Sequence, residues 1–320
     1  MPKSRPVDRI RRRVTAAFGP RTAAMIPAGY QRMGRLVLVR LPVELRSHEA
    51  EIGEIYRQEL HVDAVLAIDR VEKGSRRVPR VRVLSGEGTE TAVRDGDLVY
   101  RLDAAQLLYS AGNMEERHRI GRLVRPGERV VDLFAGIGYF ALPAARIGRA
   151  SRVVAVEKNP VSFGYLCRNI TENRLAGRVF PVLGDNRTVE LPPHSFDRVI
   201  LGYLPSAFPF VGRALELVVE EGGWVHVHSV TSTRLLPRSE QALREIVRRA
   251  GGEIIGLTSR TVKSYGPARD HRVWDLNVRP GGSAPAERRS NRGSYISHQF
   301  LSKVDNPRGP RVPVRYQPCR

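Results

Sequence analysis

The stretch Val130-Val131-Asp132-Leu133-Phe134-Ala135-Gly136-Ile137-Gly138-Tyr139-Phe140 constrains the fold more than any other part of the chain. It reads as a buried strand that closes on an acidic residue, a two-glycine turn and the start of a helix. Glycines at such a turn let backbone amides come close to a nucleoside-bearing ligand. A second apolar strand, Val153-Val154-Ala155-Val156, ends in Glu157, 25 residues after Asp132. A carboxylate in that place can accept both hydroxyls of a ribose. A third strand, Val179 to Leu183, ends in Gly184-Asp185-Asn186. Three successive strand ends carrying Asp, Glu and Asp-Asn outline an adenosine pocket.

The alternation around this core predicts an α/β fold with a Rossmann-like sheet, mostly parallel with an antiparallel edge. Strands are expected over 129–134, 152–157, 178–183, 197–202, 223–229, 253–262 and 271–278. Helices are expected over 139–148, 160–173, 207–221 and 236–250. The last two strands have no helix between them and are expected to pair antiparallel. Upstream, strands are expected over 36–39, 62–68, 78–84 and 98–102. Between the first two, Ser47 is expected to cap a helix that presents Ile52, Ile55, Tyr56 and Leu60 on one face. Gly74-Ser75, Gly86-Glu87-Gly88 and Asp95-Gly96 read as turns. Residues 103–125 are expected to be mostly helical around an irregular piece at 110–113, with Asn113 as N-cap and Glu115 and Glu116 in the first turn.

Four regions follow. Residues 1–25 are a basic leader, either a helix or a flexible arm. Residues 26–110 form a small α/β domain. Residues 111–279 form the nucleoside-binding domain with its lead-in helix. Residues 280–320 are an arginine- and proline-rich tail with few apolar residues, expected to be disordered.

Net charge matters for the partner. The sequence carries +20 at pH 7, almost entirely from arginine, which points to a polyanion, nucleic acid first. No apolar run is long enough for a membrane span, and the N-terminus lacks a secretory pattern. Cys167 and Cys319 lie far apart and form no metal-spaced pair, so no metal and a reducing cytoplasm are expected.

Asp132 decides between ligands. Beside a dinucleotide it would repel the pyrophosphate; beside the sulfonium or ammonium of S-adenosylmethionine it attracts. The third glycine of the dinucleotide fingerprint is also replaced, by Phe140 and Ala141. Asp132 can instead bond the backbone of its own turn, Glu157 can pair with Lys158, and Asp185 and Asn186 fit a plain turn. The fourth strand ends in Leu201-Gly202-Tyr203-Leu204-Pro205, with Tyr203 either stacking on a base or packing as an ordinary aromatic. His226 and His228 share a strand face without a third ligand nearby in sequence. Arg101, Arg117, Arg119 and Arg122 crowd the approach to the glycine turn. Arg117 can pair with Glu115, with Glu116 or with the carboxylate of the ligand's amino acid arm.

Longer matches identify a family. Tyr100-Arg101-Leu102-Asp103, Leu108-Tyr109-Ser110-Ala111-Gly112-Asn113-Met114-Glu115-Glu116-Arg117, and the glycine turn 132–140 resemble the tRNA guanosine methyltransferase and wybutosine-synthesis family. So do Glu157-Lys158-Asn159-Pro160, Gly184-Asp185-Asn186-Arg187, and Lys263-Ser264-Tyr265-Gly266-Pro267 with Asp270-His271. The resemblance spans residues 30–279 and implies the class I methyltransferase form of the Rossmann-like sheet. Methyl-transferring members place an asparagine at the end of the fourth strand, and this chain has Leu201-Gly202-Tyr203 there. It is more similar to the archaeal-type branch that moves the 3-amino-3-carboxypropyl group.

The resemblance implies S-adenosylmethionine as donor, held by Ser110, Arg117, Glu157, Asp185 and Asn186, and the acidic glycine turn adds Asp132, Gly136 and Gly138 to the binding residues. It implies a tricyclic wyosine-precursor acceptor, made from the guanosine 3′ of the anticodon of tRNA(Phe), and tRNA bound through its anticodon-stem region by the small domain. Asp132, Tyr203 and His228 are the candidate catalytic groups. Guanosine-N1 methyl transfer at the same position is the alternative reaction. A non-catalytic RNA-binding protein with a retained nucleoside pocket is the alternative from another class.

Overall fold

The computed structural model describes residues 4–71 and 78–281. Two compact units divide the chain after Asn186.

The first unit opens with a helix, α1 (Pro6–Ala24), interrupted at Gly19 (φ 83°, ψ 167°) before Pro20. The leader is therefore helical, for a simple reason. Val7, Ile10 and Val14 recur at helical spacing and are buried among Ile52, Tyr56 and Leu60, while Arg9 reaches Glu59 at 2.9 Å. Strands β1 (Gln31–Met33) and β2 (Leu36–Val39) pair antiparallel. Helix α2 (Glu49–Leu60) then crosses over to β3 (Ala64–Val71), which runs parallel to β2 and antiparallel to β4 (Pro79–Gly86). The expected face of α2, Ile52, Ile55, Tyr56 and Leu60, is the buried one. Ser47 does not cap it: a 3-10 turn over Val43–His48 feeds the chain into the helix. The turn expected at Gly74-Ser75 and the tail at 282–320 lie outside the described residues.

Next come a hairpin, β5 (Glu90–Asp95) and β6 (Leu98–Asp103), and helix α3 (Met114–Leu123). Strand β5 reads Glu-Thr-Ala-Val-Arg-Asp, too polar to announce itself as a strand. Residues 104–109 are not helical. The Asp103 carboxylate accepts from the Ala105 amide at 2.8 Å and the Gln106 side chain at 2.6 Å, and this local bonding turns the chain before a helix can start. Asn113 holds the N-cap position of α3 but makes no capping bond.

The nucleoside-binding core of this unit is β7 (Arg129–Asp132), α4 (Ala141–Arg146), β8 (Arg152–Glu157), α5 (Pro160–Glu172) and β9 (Val179–Leu183). Its three strands are parallel, with β8 in the middle. Asn159 caps α5 by accepting from the Val161 amide at 3.1 Å, ahead of Pro160 at the first helical position. Two asparagines one turn apart, Asn169 on α5 and Asn173 at its C-cap, then bond the free edge of β6. Asn169 accepts from the Arg101 amide (2.7 Å) and donates to its carbonyl (3.2 Å). Asn173 does the same for Val99, at 2.8 and 2.7 Å.

The second unit holds β10 (Arg198–Leu201), α6 (Val211–Leu217), β11 (Gly223–Thr231), α7 (Leu236–Arg249), β12 (Glu253–Gly266) and β13 (Arg269–Arg279). Strands β10 and β11 are parallel; β13 pairs antiparallel with both β11 and β12, as expected of an edge without an intervening helix. The helix expected over 207–221 is shorter, because Val218 turns extended and bridges Phe196. Among the described residues no helix is long and apolar enough to cross a membrane.

The two asparagine bridges make a stability prediction. Asn169→Ala strips the Arg101 peptide of both partners and should destabilise the protein by about 1–3 kcal/mol. The measurement is urea unfolding followed by circular dichroism, with a midpoint equal to wild type counting against the bridge.

Candidate functional site

The site is built at the C-terminal ends of β7, β8 and β9. Asp132 ends β7 and is fully buried. Its Oδ1 accepts from the Phe134 amide at 3.1 Å, so it does bond its own turn, yet Oδ2 has no hydrogen-bond partner. Burial pushes its carboxyl up to about 7, and the nearby charge of Glu157 adds to the rise. Glu157 ends β8. The Gly136 amide donates to Oε2 at 2.8 Å and the Asn159 amide to Oε1 at 2.7 Å. Burial raises its pKa as well, opposed by these amides. A carboxylate has lone pairs to spare after two such bonds, so both oxygens can still accept hydroxyls.

The glycine turn needs its glycines. Gly136 has φ 57° and Gly138 φ 102°, and a Cβ on Gly138 would lie 2.7 Å from Leu142 Cγ. The turn is tied to β8 by the Ala135 amide, which donates to the Val156 carbonyl at 2.9 Å. The end of β9 is tied there too, since the Gly184 amide donates to the Glu157 carbonyl at 3.0 Å. Asp185 and Asn186 follow. Asn186 is buried and its Oδ1 has no hydrogen-bond partner. Buried acceptors left without donors are costly in a folded protein. Asp132 Oδ2 and Asn186 Oδ1 therefore fit a ligand that brings positive charge or N–H groups, and the open lone pairs of Glu157 fit a diol.

Arg117 makes neither of the glutamate pairs that its sequence position allows. It does not pair with Glu115 or Glu116: those hold Arg122 at 2.6 Å and Arg119 at 2.7 Å, and Arg101 is held by Glu172 at 2.9 Å. Only 2% of the Arg117 side chain is exposed. Its guanidinium lies over the rings of Tyr139 (4.3 Å), Tyr109 (4.7 Å) and Tyr100 (5.6 Å). It donates to Tyr109 Oη at 3.0 Å and to the Ser110 carbonyl at 3.0 Å, and it faces Asp95 Oδ2 at 3.6 Å. His118 Nε2 lies 2.7 Å from the other Asp95 oxygen. Tyr139 donates to the Leu108 carbonyl at 2.9 Å. Arg117 thus fixes the segment that carries Ser110 against the glycine turn. Asp95, Tyr100, Tyr109 and Tyr139 were not singled out as site residues from sequence. Three of them stand inside the family motifs, but no spacing rule brings their rings together.

The candidates of the second unit have clear surroundings of their own. Tyr203 follows β10 and meets Phe210 edge to face at 5.8 Å. His226 and His228 are both buried on β11. His226 lies 2.5 Å from Asp275 and 2.6 Å from Arg198. His228 Nδ1 lies 2.9 Å from His271 Nε2. Burial, with the charge of Lys263, pushes His271 down to about 4, so it is neutral at physiological pH. Among the described residues no group of three or more His, Cys, Asp or Glu is placed to hold a metal ion.

Residues 91–255 match the TRM5/TYW2 methyltransferase domain and residues 11–89 the TYW2 N-terminal domain. The chain belongs to the TRM5/TYW2 family. Its fold is accordingly the Rossmann-like methyltransferase fold with a mostly parallel central sheet and an N-terminal domain. A Methanocaldococcus jannaschii relative, tRNA(Phe) (4-demethylwyosine(37)-C(7)) aminocarboxypropyltransferase, is 36% identical over 77% of this chain and 96% of its own length. The structure of Pyrococcus horikoshii TYW2 in complex with MeSAdo is 31% identical, with a TM-score of 0.75, over 85% of this chain and 98% of that one. The structure of M. jannaschii TYW2 in complex with AdoMet is also 31% identical, with a TM-score of 0.65, over 79% of this chain and 100% of that one.

Two measurements test this geometry. Arg117→Ala leaves Asp95 buried without its guanidinium and should cost about 3–5 kcal/mol in denaturant unfolding. Arg117→Lys, which cannot span the same partners, should recover only part of that loss. Asp132 sets a pH dependence. A carboxyl raised on folding adds stability in full below its unfolded value of about 4. That stability is lost as pH rises through about 7. Ligand-free Asp132→Asn should therefore melt close to wild type at pH 4 and several degrees above it at pH 8.

Proposed function

We propose that this TRM5/TYW2 member transfers the 3-amino-3-carboxypropyl group of S-adenosylmethionine to 4-demethylwyosine, at the position 3′ of the anticodon in tRNA(Phe). Supporting this are the name of the M. jannaschii relative and the AdoMet and MeSAdo complexes of the structural neighbours. The observation that carries it in this chain is the Asp132–Glu157–Asn186 cradle with its unpartnered acceptors. S-adenosylmethionine supplies an electrophilic γ-carbon: a bond from the base carbon forms there, the carbon–sulfur bond breaks, and methylthioadenosine leaves. The remaining work falls to the chain's own residues.

Glu157 accepts the ribose hydroxyls, its orientation fixed by the amides of Gly136 and Asn159. Asp185 and Asn186 take the adenine edge, and Asp132 attracts the cationic end. Gly136 and Gly138 keep the turn low enough for close approach, and Ser110 and Arg117 shape the side facing the amino acid arm. Choice among the three arms of a sulfonium is a matter of which carbon is aligned with the acceptor, so positioning dominates. The proton lost from the base carbon needs an acceptor. Asp132, titrating at about 7, is the first candidate; Tyr203 and His228 are the candidates on the second unit.

The same reading assigns tRNA to the small domain at 26–110, with contact to the anticodon-stem region, and places the protein in the cytoplasm, where tRNA is modified. The test is incubation with tRNA carrying the tricyclic precursor and donor labelled separately on its methyl and carboxypropyl groups. Carboxypropyl label in the tRNA with release of methylthioadenosine is expected; methyl label alone would instead identify guanosine methyl transfer. Glu157→Ala should weaken S-adenosylmethionine binding by about 10–100-fold, the cost of losing hydrogen bonds to a charged group, measured by calorimetry. Wild type that binds no S-adenosylmethionine at all would favour the silent RNA-binding alternative.

A further inference from the structure

The N-terminal region carries a basic cavity that the transfer chemistry does not use. It has a volume of about 410 Å³ and is lined by Arg40, Leu41, Arg46, Ile68, Asp69, Arg70 and Arg80. Its position follows from topology. Strands β2 and β3 are parallel, with Val39 opposite Ala67, so Arg40 and the Ile68–Arg70 run leave their C-terminal ends side by side. The 3-10 turn after β2 adds Arg46, and β4 adds Arg80, which stands directly opposite Arg70 in the antiparallel register.

Like charges facing each other across two strands are unfavourable. Neutralisation is weak here. Among the described residues Arg40, Arg46 and Arg70 make no ion pair, and all three are exposed. The one carboxylate in the lining, Asp69, is engaged by a fork of two 3.1 Å bonds from Arg82, which itself also reaches Glu49, and the charges of Arg46 and Arg70 act on it more weakly. Arg40, Arg46 and Arg70 against this one shared carboxylate leave the cavity positive. All three of these guanidiniums are open to solvent and to a ligand arriving from it. Planar forked donors around a concavity match phosphate oxygens.

We propose that this cavity holds backbone phosphates of the tRNA substrate and sets the register of the tRNA on the N-terminal domain. The assignment rests on the tRNA reading given above. It narrows that reading to three exposed side chains, Arg40, Arg46 and Arg70. Contacts of this kind carry no base information; they position the nucleic acid and make binding salt-dependent.

The test compares the full-length wild type with Arg40→Ala/Arg46→Ala/Arg70→Ala. A second triple, Arg244→Ala/Arg248→Ala/Arg249→Ala on α7, removes the same charge elsewhere. Binding of tRNA is followed by fluorescence anisotropy across a salt series, and turnover by methylthioadenosine release. The cavity triple should flatten the slope of log K against log salt by about 2, at roughly 0.7–0.9 per phosphate. It should raise KM for tRNA at least tenfold while leaving S-adenosylmethionine affinity within twofold, which also certifies that it is folded. Arg40→Lys/Arg46→Lys/Arg70→Lys should keep most of the slope, and the α7 triple should change it by less than half as much as the cavity triple. A cavity triple with wild-type slope and KM overturns the proposal while the transfer reading stands. Equal losses from the cavity and α7 triples overturn it too, since net charge alone would then explain binding. Wild type that binds no tRNA overturns both.

Discussion

A single buried cation organises the first unit. Arg117 sits where a charge is expensive to hide, and its surroundings compensate in several ways at once: three aromatic faces, one carboxylate and two oxygen acceptors. The partners come from three pieces of chain. Asp95 and Tyr100 belong to the β5–β6 hairpin, Tyr109 and Ser110 to the irregular segment, Tyr139 to the glycine turn. The guanidinium is planar and carries five N–H donors in a fixed fork, so one side chain can serve several partners at once. Arg117 holds these pieces together, while Asp132 Oδ2 and Asn186 Oδ1 at the ligand-facing strand ends are left without partners.

The two strand-end acids differ in this respect. Asp132 and Glu157 are both buried carboxyls, and burial raises both. Glu157 is steadied by the amides of Gly136 and Asn159, whereas Asp132 Oδ2 makes no hydrogen bond. One side chain is therefore a fixed acceptor and the other an unsatisfied one. An incoming cation would relieve Asp132, and that relief is part of the attraction.

Much of this was legible in the sequence. Apolar strands ending in acids, and helices with caps or prolines at their starts, follow local rules, so β7, β8, β9 and α5 lie within a residue or two of their expected bounds. Legibility failed where tertiary bonds override local preference. Strand β5 is polar and exists because β6 pairs with it. Residues 104–109 have helical composition, but the Asp103 side chain captures the Ala105 amide first. The buried face of α1 was hidden by its arginine density. The tyrosine box is invisible to any periodicity, because Tyr100, Tyr109 and Tyr139 meet only through the fold. Asn169 and Asn173 read as ordinary helix positions, and nothing short of the folded structure reveals what they bond.

Those two asparagines have a wider consequence. A primary amide can present one of its donors and its acceptor side by side in one plane, like the edge of a strand, so the pair imitates a neighbouring strand without being one. The outer rim of the hairpin is thereby closed to recruitment by another chain, the hazard that exposed sheet margins carry for aggregation. Protection by side chains rather than by backbone also decouples the hairpin from any particular strand partner. Its sequence can drift, provided the two amides remain one helical turn apart.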